Sequence, residues 1–324
     1  MSTATTGLVS LLGLDPATYE PHALHTGERS YMETNCYTDI LIELIHARGD
    51  EPLAAMGFTV RTDFEGDQWT FFKPPATDLE MLYGIDLHEM QPYRPLADQI
   101  AQQIARGRTL LVELDSFYLP DTASTSYRRE HVKTSVIPEA IDCAHQRLRY
   151  FHNTGLHELA GEDYRRILRL QGPFSEDVLP PYTELVRFDA GARLQGEELR
   201  AAARSLLAEH LARRPSSNPF LGFAEQLQAD LSGLLDAGAA EYHAYAFATV
   251  RMVGSAFEVG ASHVDWLLGA RGAPAAAALR TVVEGAKVLS FKLARRRRFD
   301  PGPLLDTMAQ GWQRSMATLD RAVS

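Results

Sequence analysis

TNCYTDILIELIHARG, residues 34–49, is the stretch from which the fold becomes readable. Its apolar residues Ile40, Leu41, Leu44 and Ile45 recur at helical spacing and Gly49 supplies a stop, which predicts a helix over Thr34 to Ala47 opening beside Cys36. Unpaired backbone N–H groups and the positive dipole end gather at such an opening, and both favour thiolate over thiol. The same N–H groups, with the side-chain amide of Asn35, are placed to receive the oxyanion of a tetrahedral acyl intermediate. Cys36 is therefore the candidate nucleophile.

Downstream, β-like runs are expected at Gly57 to Val60 and Gln68 to Phe72, and helices at Thr77 to Tyr83 and Pro95 to Ala105. TLLVELDSFYL, Thr109 to Leu119, reads as a buried strand, followed by the polar loop DTASTSYRRE. His131 to Ile137 and Arg147 to His152 read as a hairpin joined by PEAIDCAHQ; a turn near Asp142 would set His131 roughly opposite Asn153. A helix over Gly161 to Leu170 and a closing strand over Tyr182 to Phe188 complete this half. From Gly196 the pattern turns Ala- and Leu-rich and helical. The expectation is an α/β (α+β) domain over 1–195 and an all-helical domain over 196–324, which caps the cleft or mediates homodimer formation.

Bulk composition narrows the function classes. The 324 residues, 45% hydrophobic, suit two cores. A formal charge of −10 with a pI near 5.6 argues against sequence-independent nucleic-acid binding, and the run Arg295 to Arg298 reads as a solvated helix end. Cys36 and Cys143 fit neither a disulfide framework nor a zinc spacing, which suggests a reducing compartment. Met1 to Leu14 lacks the pattern of a secretory signal, and Ala244 to Leu268 is interrupted by Arg251, Glu258, His263 and Asp265. A cytoplasmic protein that neither spans a membrane nor carries a metal or cofactor is expected, since no Gly-rich phosphate loop is present.

A thiolate needs a base, and His131 is the candidate, with Asn153 accepting its ring N–H in a Cys-His-Asn arrangement. Spacing alone leaves a structural reading open: a small buried cysteine and an ordinary histidine. Around FEGDQW, Asp67 and Trp69 are candidates for a substrate-facing loop, against a polar turn before an edge strand. Arg251 is a candidate wall of an acceptor site, against an Arg251–Glu258 structural pair.

Two stretches carry a family resemblance: NCYTDILIELIHARG at 35–49 and VELDSFYLPDTASTSYRREHVKTSVIPEAIDCAHQRLRYFHNTG at 112–155. They resemble the butirosin-biosynthesis type of acyltransferase, a papain-like family with a Cys-Tyr helix start, Asp-x-x-Tyr-Leu-Pro, a His-led strand and an Asp after the next strand. The whole chain also resembles a bacterial family of unknown function through FEGDQWTFFKPP and YRREHVKT. By the first resemblance Cys36 is the nucleophile and His131 the base, Asn153 stands where the pattern has Asp, and Asp115 and Tyr118 match the Asp and Tyr of Asp-x-x-Tyr-Leu-Pro as support for the site. The resemblance implies a papain-like core. It also implies an acyl or aminoacyl group taken from the phosphopantetheine thioester of an acyl carrier protein onto Cys36 and passed to a small-molecule amine or hydroxyl, in a natural-product pathway. A cysteine peptidase or amidase, and a non-catalytic binding protein with the same fold, are the rivals.

Overall fold

The computed structural model describes residues 7–27, 29–33, 35–171 and 179–323. Thr34, where the predicted helix would begin, and residues 1–6 of the N-terminal stretch lie outside the described residues. The fold is mixed α/β. In chain order the first part holds β1 (Val9–Ser10), α1 (Ala23–Thr26), α2 (Cys36–Ala47), α3 (Ala76–Tyr83), β2 (Asp86–Glu89), α4 (Leu96–Ile104), β3 (Thr109–Asp115), β4 (Lys133–Asp142), β5 (Arg147–His152), β6 (Gly155–Ala160), α5 (Gly161–Ile167) and β7 (Thr183–Arg187). The strands form one sheet in the order β2-β7-β3-β4-β5-β6, with β1 added to β4 and every pair antiparallel.

Alternation along the strands gives the sheet two different faces. Leu110, Val112 and Leu114 of β3, Val136 of β4 and Tyr150 of β5 pack with Ile100 and Ile104 of α4 and Ile167 of α5. The opposite face takes α2, whose Cys36 meets Ser135 and whose Tyr37 meets Glu184. Ile40, Leu41, Leu44 and Ile45 are fully buried, and each contributes about 1.5–3 kcal/mol of transfer free energy. Asp39 in the first turn complements the helix dipole, and Gly49, at φ 80°, ends the helix in the left-handed region that glycine adopts without strain.

The hairpin differs from the expected register. β4 runs on through Pro138 to Asp142, so the residues read as a connection are mostly strand, and Ile137 pairs with Phe151. The expected turn near Asp142 becomes a short one over residues 143–146. β5 ends at His152, and Asn153 sits with φ 46° in the two-residue turn to β6. Asn tolerates that conformation, so the turn is what places it there.

The second part is helical: α6 (Gly196–Ala212), α7 (Pro219–Asp236), α8 (Ala239–Ala246), a π-helical turn at Phe247–Arg251, α9 (Met252–Leu268), α10 (Ala273–Ala294) and α11 (Gly302–Val323). The chain divides into two compact units that are not continuous in sequence: one takes the chain to Thr26, Cys36–Pro52 and Leu79–Arg193, the other Gly27–Asn35, Leu53–Asp78 and Leu194 onward. Segments 27–35 and 53–78 thus pack with the helices, although linear reading groups them with residues 1–195. The reason is local contact. Pro52–Arg61 is a 3-10 helix where a β-like run was expected; a Cβ on Gly260 of α9 would come within 2.7 Å of Thr59 Oγ1, and His263 Nδ1 bonds the Leu53 carbonyl at 2.7 Å. Among the described residues no helix is long and apolar enough to cross a membrane.

Candidate active site

Cys36 is the first residue of α2 and is half-buried. Its Sγ lies 3.7 Å from Ser135 Oγ on β4. Ser135 is directly across from Glu113 on β3, and Lys133, two residues along the same face, brings Nζ to 2.8 Å from Glu113 Oε1. On β7, which flanks β3, Glu184 accepts hydrogen bonds from Tyr37 at 2.5 Å and Tyr182 at 2.8 Å. Burial and the adjoining carboxylate push both phenols' pKa values upward, so both stay protonated and donate.

His131 precedes β4. Its Nδ1 is 2.6 Å from Asp115 Oδ2, while Asp115 Oδ1 accepts the Phe117 N–H at 3.0 Å. The ring stacks on Phe117 with centroids 4.3 Å apart. Asp115 is thus the group that orients His131. Asn153 does not have that role, because the hairpin register carries it into the β5–β6 turn. Four residues of extended chain, about 13 Å, separate His131 from Ser135, so the imidazole orders itself on Asp115 rather than on the sulfur.

Asp115, Tyr118, His131, Lys133, Arg166 and Tyr182 line a cavity of about 480 Å³, a size that suits a small organic molecule. Asp115 and Tyr118, expected near the site, therefore border the same cavity as His131.

The other expected contacts fall elsewhere. Asn35 is 1% exposed and donates to the Phe72 carbonyl at 2.5 Å, which makes it a brace for segment 53–78. Trp69 is a core anchor, 3% exposed against Phe220 and Phe223, and not a substrate-facing ring. Asp67 is exposed in the turn between Phe64 and Trp69, which bridge each other. Arg251 lies in the π-helical turn, and Glu258 is held by Arg29 at 3.3 Å and by the backbone N–H of Ser30 and Tyr31.

Residues 20–188 match the DUF1839 N-terminal domain and residues 196–321 the DUF1839 C-terminal domain. The chain belongs to the DUF1839 family. None of the curated proteins matches it.

In this DUF1839 protein the groups that the sequence reading missed are Ser135, Lys133 and Glu113. Period-two alternation in the expected strand over His131 to Ile137 puts residues 131, 133 and 135 on one face, and that signal could have found Lys133 and Ser135. A second missed network lies on the other face of β4. Thr134 Oγ1 is 2.8 Å from His152 Nε2, and Asp121 accepts from His152 Nδ1 and Tyr150 OH, both at 2.5 Å. Against the effect of burial, His152, His157 and Tyr150 hold the Asp121 carboxyl below the usual carboxylate range. Under α2, buried His25 bridges Asp39 and Glu43; burial opposes its protonation, but the two carboxylates win and raise its pKa. Among the described residues no group of three or more His, Cys, Asp or Glu is placed to hold a metal ion.

Proposed function

We propose that this DUF1839 protein is a cysteine-dependent acyltransferase with a papain-like arrangement of helix and sheet. The observation that carries the reading is Cys36 at the mouth of α2, half-buried, with its sulfur at Ser135 on the strand that His131 precedes. Helix N–H groups supply positive potential for a thiolate and donors for an oxyanion. Lys133 adds a cation on the same face.

On this reading the Cys36 thiolate attacks the carbonyl of an acyl or aminoacyl thioester on the phosphopantetheine arm of an acyl carrier protein. The carbon–sulfur bond to the arm breaks and its sulfur leaves as a thiolate. An amine or hydroxyl acceptor that reaches from the cavity beside His131 to the enzyme thioester then attacks it, and Cys36 leaves as thiolate. The proton that the acceptor loses passes through solvent to Nε2 of His131, whose Nδ1 is tied to Asp115. Thioester exchange is near balance, and amide formation then drives transfer forward. A cytoplasmic natural-product pathway and a homodimeric assembly belong to the same proposal, and it needs no cofactor.

One observation favours a non-catalytic binding protein instead: the side chain bonded to the sulfur is a serine hydroxyl and not an imidazole. Product analysis with a loaded carrier protein tests the proposal. Transfer yields an acceptor conjugate that rises with amine concentration. Free acid at a rate indifferent to amine indicates a hydrolase, and no turnover with or without amine indicates the binding protein.

A further inference from the structure

The stretch DSFYLPD, residues 115–121, gives Asp115 and Tyr118 to the His131 cavity, and its last residue reaches the other face of β4. Asp121, with its side chain 8% exposed, accepts from Tyr150 OH at Oδ1 and from His152 Nδ1 at Oδ2, both at 2.5 Å. His157 Nε2 stands 4.0 Å from Oδ2. Tyr150 and His152 are buried on β5, and Thr134 Oγ1 of β4 lies 2.8 Å from His152 Nε2. Burial pushes the Asp121 carboxyl up, but the donors around it hold it below the usual carboxylate range, and an ionised acceptor makes the stronger bonds.

Asp121 thereby fastens the long connection from β3 to β4 to the sheet. Its neighbour Thr122 is the hub of that connection. Thr122 Oγ1 shares its proton between the Leu119 and Ser116 carbonyls, at 2.9 and 3.1 Å, and accepts from Ser126 Oγ at 3.0 Å. Ser116 leads into Phe117, whose carbonyl accepts the Arg128 N–H at 3.0 Å and whose ring stacks on His131. The His131 side chain is 67% exposed, so enclosure does not fix its ring. The Phe117 face and the Nδ1 bond to Asp115 do, and the other oxygen of Asp115 accepts the Phe117 N–H. A second tie, from Tyr127 OH and Arg128 to Asp163 of α5, is more open to solvent.

We propose that Asp121 is a positioning residue for His131: held by His152 and Tyr150, it keeps residues 116–130 where Phe117 and Asp115 fix the imidazole with its proton on Nδ1. The path runs from β5 through Asp121 and Thr122 to Ser116, Phe117 and the imidazole. Each step is a hydrogen bond, a peptide link or a ring stack. A buried polar network with its members satisfied rigidifies what it joins, and a reactive side chain needs such support behind it.

Nitrogen-15 NMR of the full chain with labelled histidine tests it, read at about pH 9, where ordinary imidazoles are neutral. A His131→Gln spectrum assigns the His131 signals. In the native chain His131 is expected mainly in the Nδ1–H form, because Asp115 accepts that proton, whereas a free imidazole prefers Nε2–H. Asp121→Ala should lower the ratio of Nδ1–H to Nε2–H form about threefold or more. Asp121→Asn, which keeps the volume and one acceptor oxygen, should fall between, and Asp163→Ala should leave the ratio unchanged. Circular dichroism checks that the variants fold, and Asp121→Asn carries the test where Asp121→Ala does not. An unchanged ratio in the folded Asp121 variants, a native ring mainly in the Nε2–H form, or release of the ring by Asp163→Ala alone overturns the proposal.

The tautomer is independent of acyl chemistry; only its consequence for transfer rests on the acyltransferase reading. With a loaded carrier protein, Asp121→Ala should lower kcat for transfer about tenfold while Cys36 is still acylated. A native chain with the Nδ1–H form and no transfer keeps the positioning role and loses the acyltransferase.

Discussion

The Sγ of Cys36 lies 3.7 Å from the hydroxyl of Ser135, and Ser135 is the cross-strand partner of Glu113. A helix start is thereby locked to the polar face of β4. The hydroxyl can donate to a thiolate, and a hydrogen bond to a charged group contributes about 1.5–3 kcal/mol. Ser135→Ala should therefore slow alkylation of Cys36 by iodoacetamide about tenfold near neutral pH, read by peptide mass spectrometry. An unchanged rate would separate the hydroxyl from the sulfur's reactivity.

Cys143 serves as the internal reference in the same experiment. Burial pushes its thiol pKa upward, and thiols react as thiolates. Cys36 should be labelled at least tenfold faster than Cys143, and equal labelling would remove the case for a poised nucleophile.

Asp115 and Asn153 should separate cleanly. Asp115→Asn weakens the hold on the His131 Nδ1 proton and should slow transfer to the acceptor by about 10²-fold or more, while Cys36 still becomes acylated. Asn153→Ala should leave transfer intact and cost about 1 kcal/mol of stability, because alanine resists the φ of 46° that the turn requires. Loss of transfer in the Asn153 variant with Asp115→Asn active would reverse the assignment.

Acid should loosen the helical unit. Burial pushes the His263 pKa down to about 4 from its ordinary 6.5. Between those values the unfolded chain binds a proton that the folded chain excludes, so stability falls as pH falls through this window, by about 3 kcal/mol in all. His25 works in the other direction: its raised pKa gives stability that is complete below pH 6.5 and is lost as pH rises through the folded value. Urea midpoints at pH 7, 5.5 and 4.5 should drop in the native chain and drop less in His263→Gln. Parallel losses in the two would assign the acid sensitivity to other groups.

Glu139 fastens the N-terminal segment to β4. Its Oε1 accepts from Ser10 Oγ at 2.6 Å and from the N–H groups of Leu12 and Gly13 at 3.0 Å. Glu139→Ala removes that shared acceptor, leaving the Gly13 N–H its bond to Ser10 Oγ alone, and should cost about 2–4 kcal/mol, read as a fall in melting temperature. Asp67→Ala, at an exposed turn, should change it by no more than about 0.5 kcal/mol.

The elements that sequence made legible are those with strong local patterns. α2 followed from Ile40, Leu41, Leu44, Ile45 and Gly49, and β3 from the apolar cluster Leu110, Leu111, Val112 and Leu114. The register of β4 against β5 did not, because Pro138 and Glu139 resemble a connection. Only the sheet, with Thr109 Oγ1 bonding the Pro138 carbonyl at 2.6 Å, shows them as buried strand. That slip sent Asn153 to the wrong partner and hid Asp115 as the one that orders His131. Trp69 looked like a binding residue because its polar neighbours are close in sequence, whereas Phe220 and Phe223, which bury it, are about 150 positions away. Long-range packing of this kind has no local signature.

Intact-mass measurement of the chain after incubation with an aminoacyl-loaded carrier protein, in the absence of acceptor, tests whether Cys36 carries the acyl group. A mass gain of one acyl group is expected that maps to Cys36, disappears with added amine and is absent from Cys36→Ala. An adduct that persists in Cys36→Ala, or no adduct in a native chain whose cysteine alkylates readily, would contradict it.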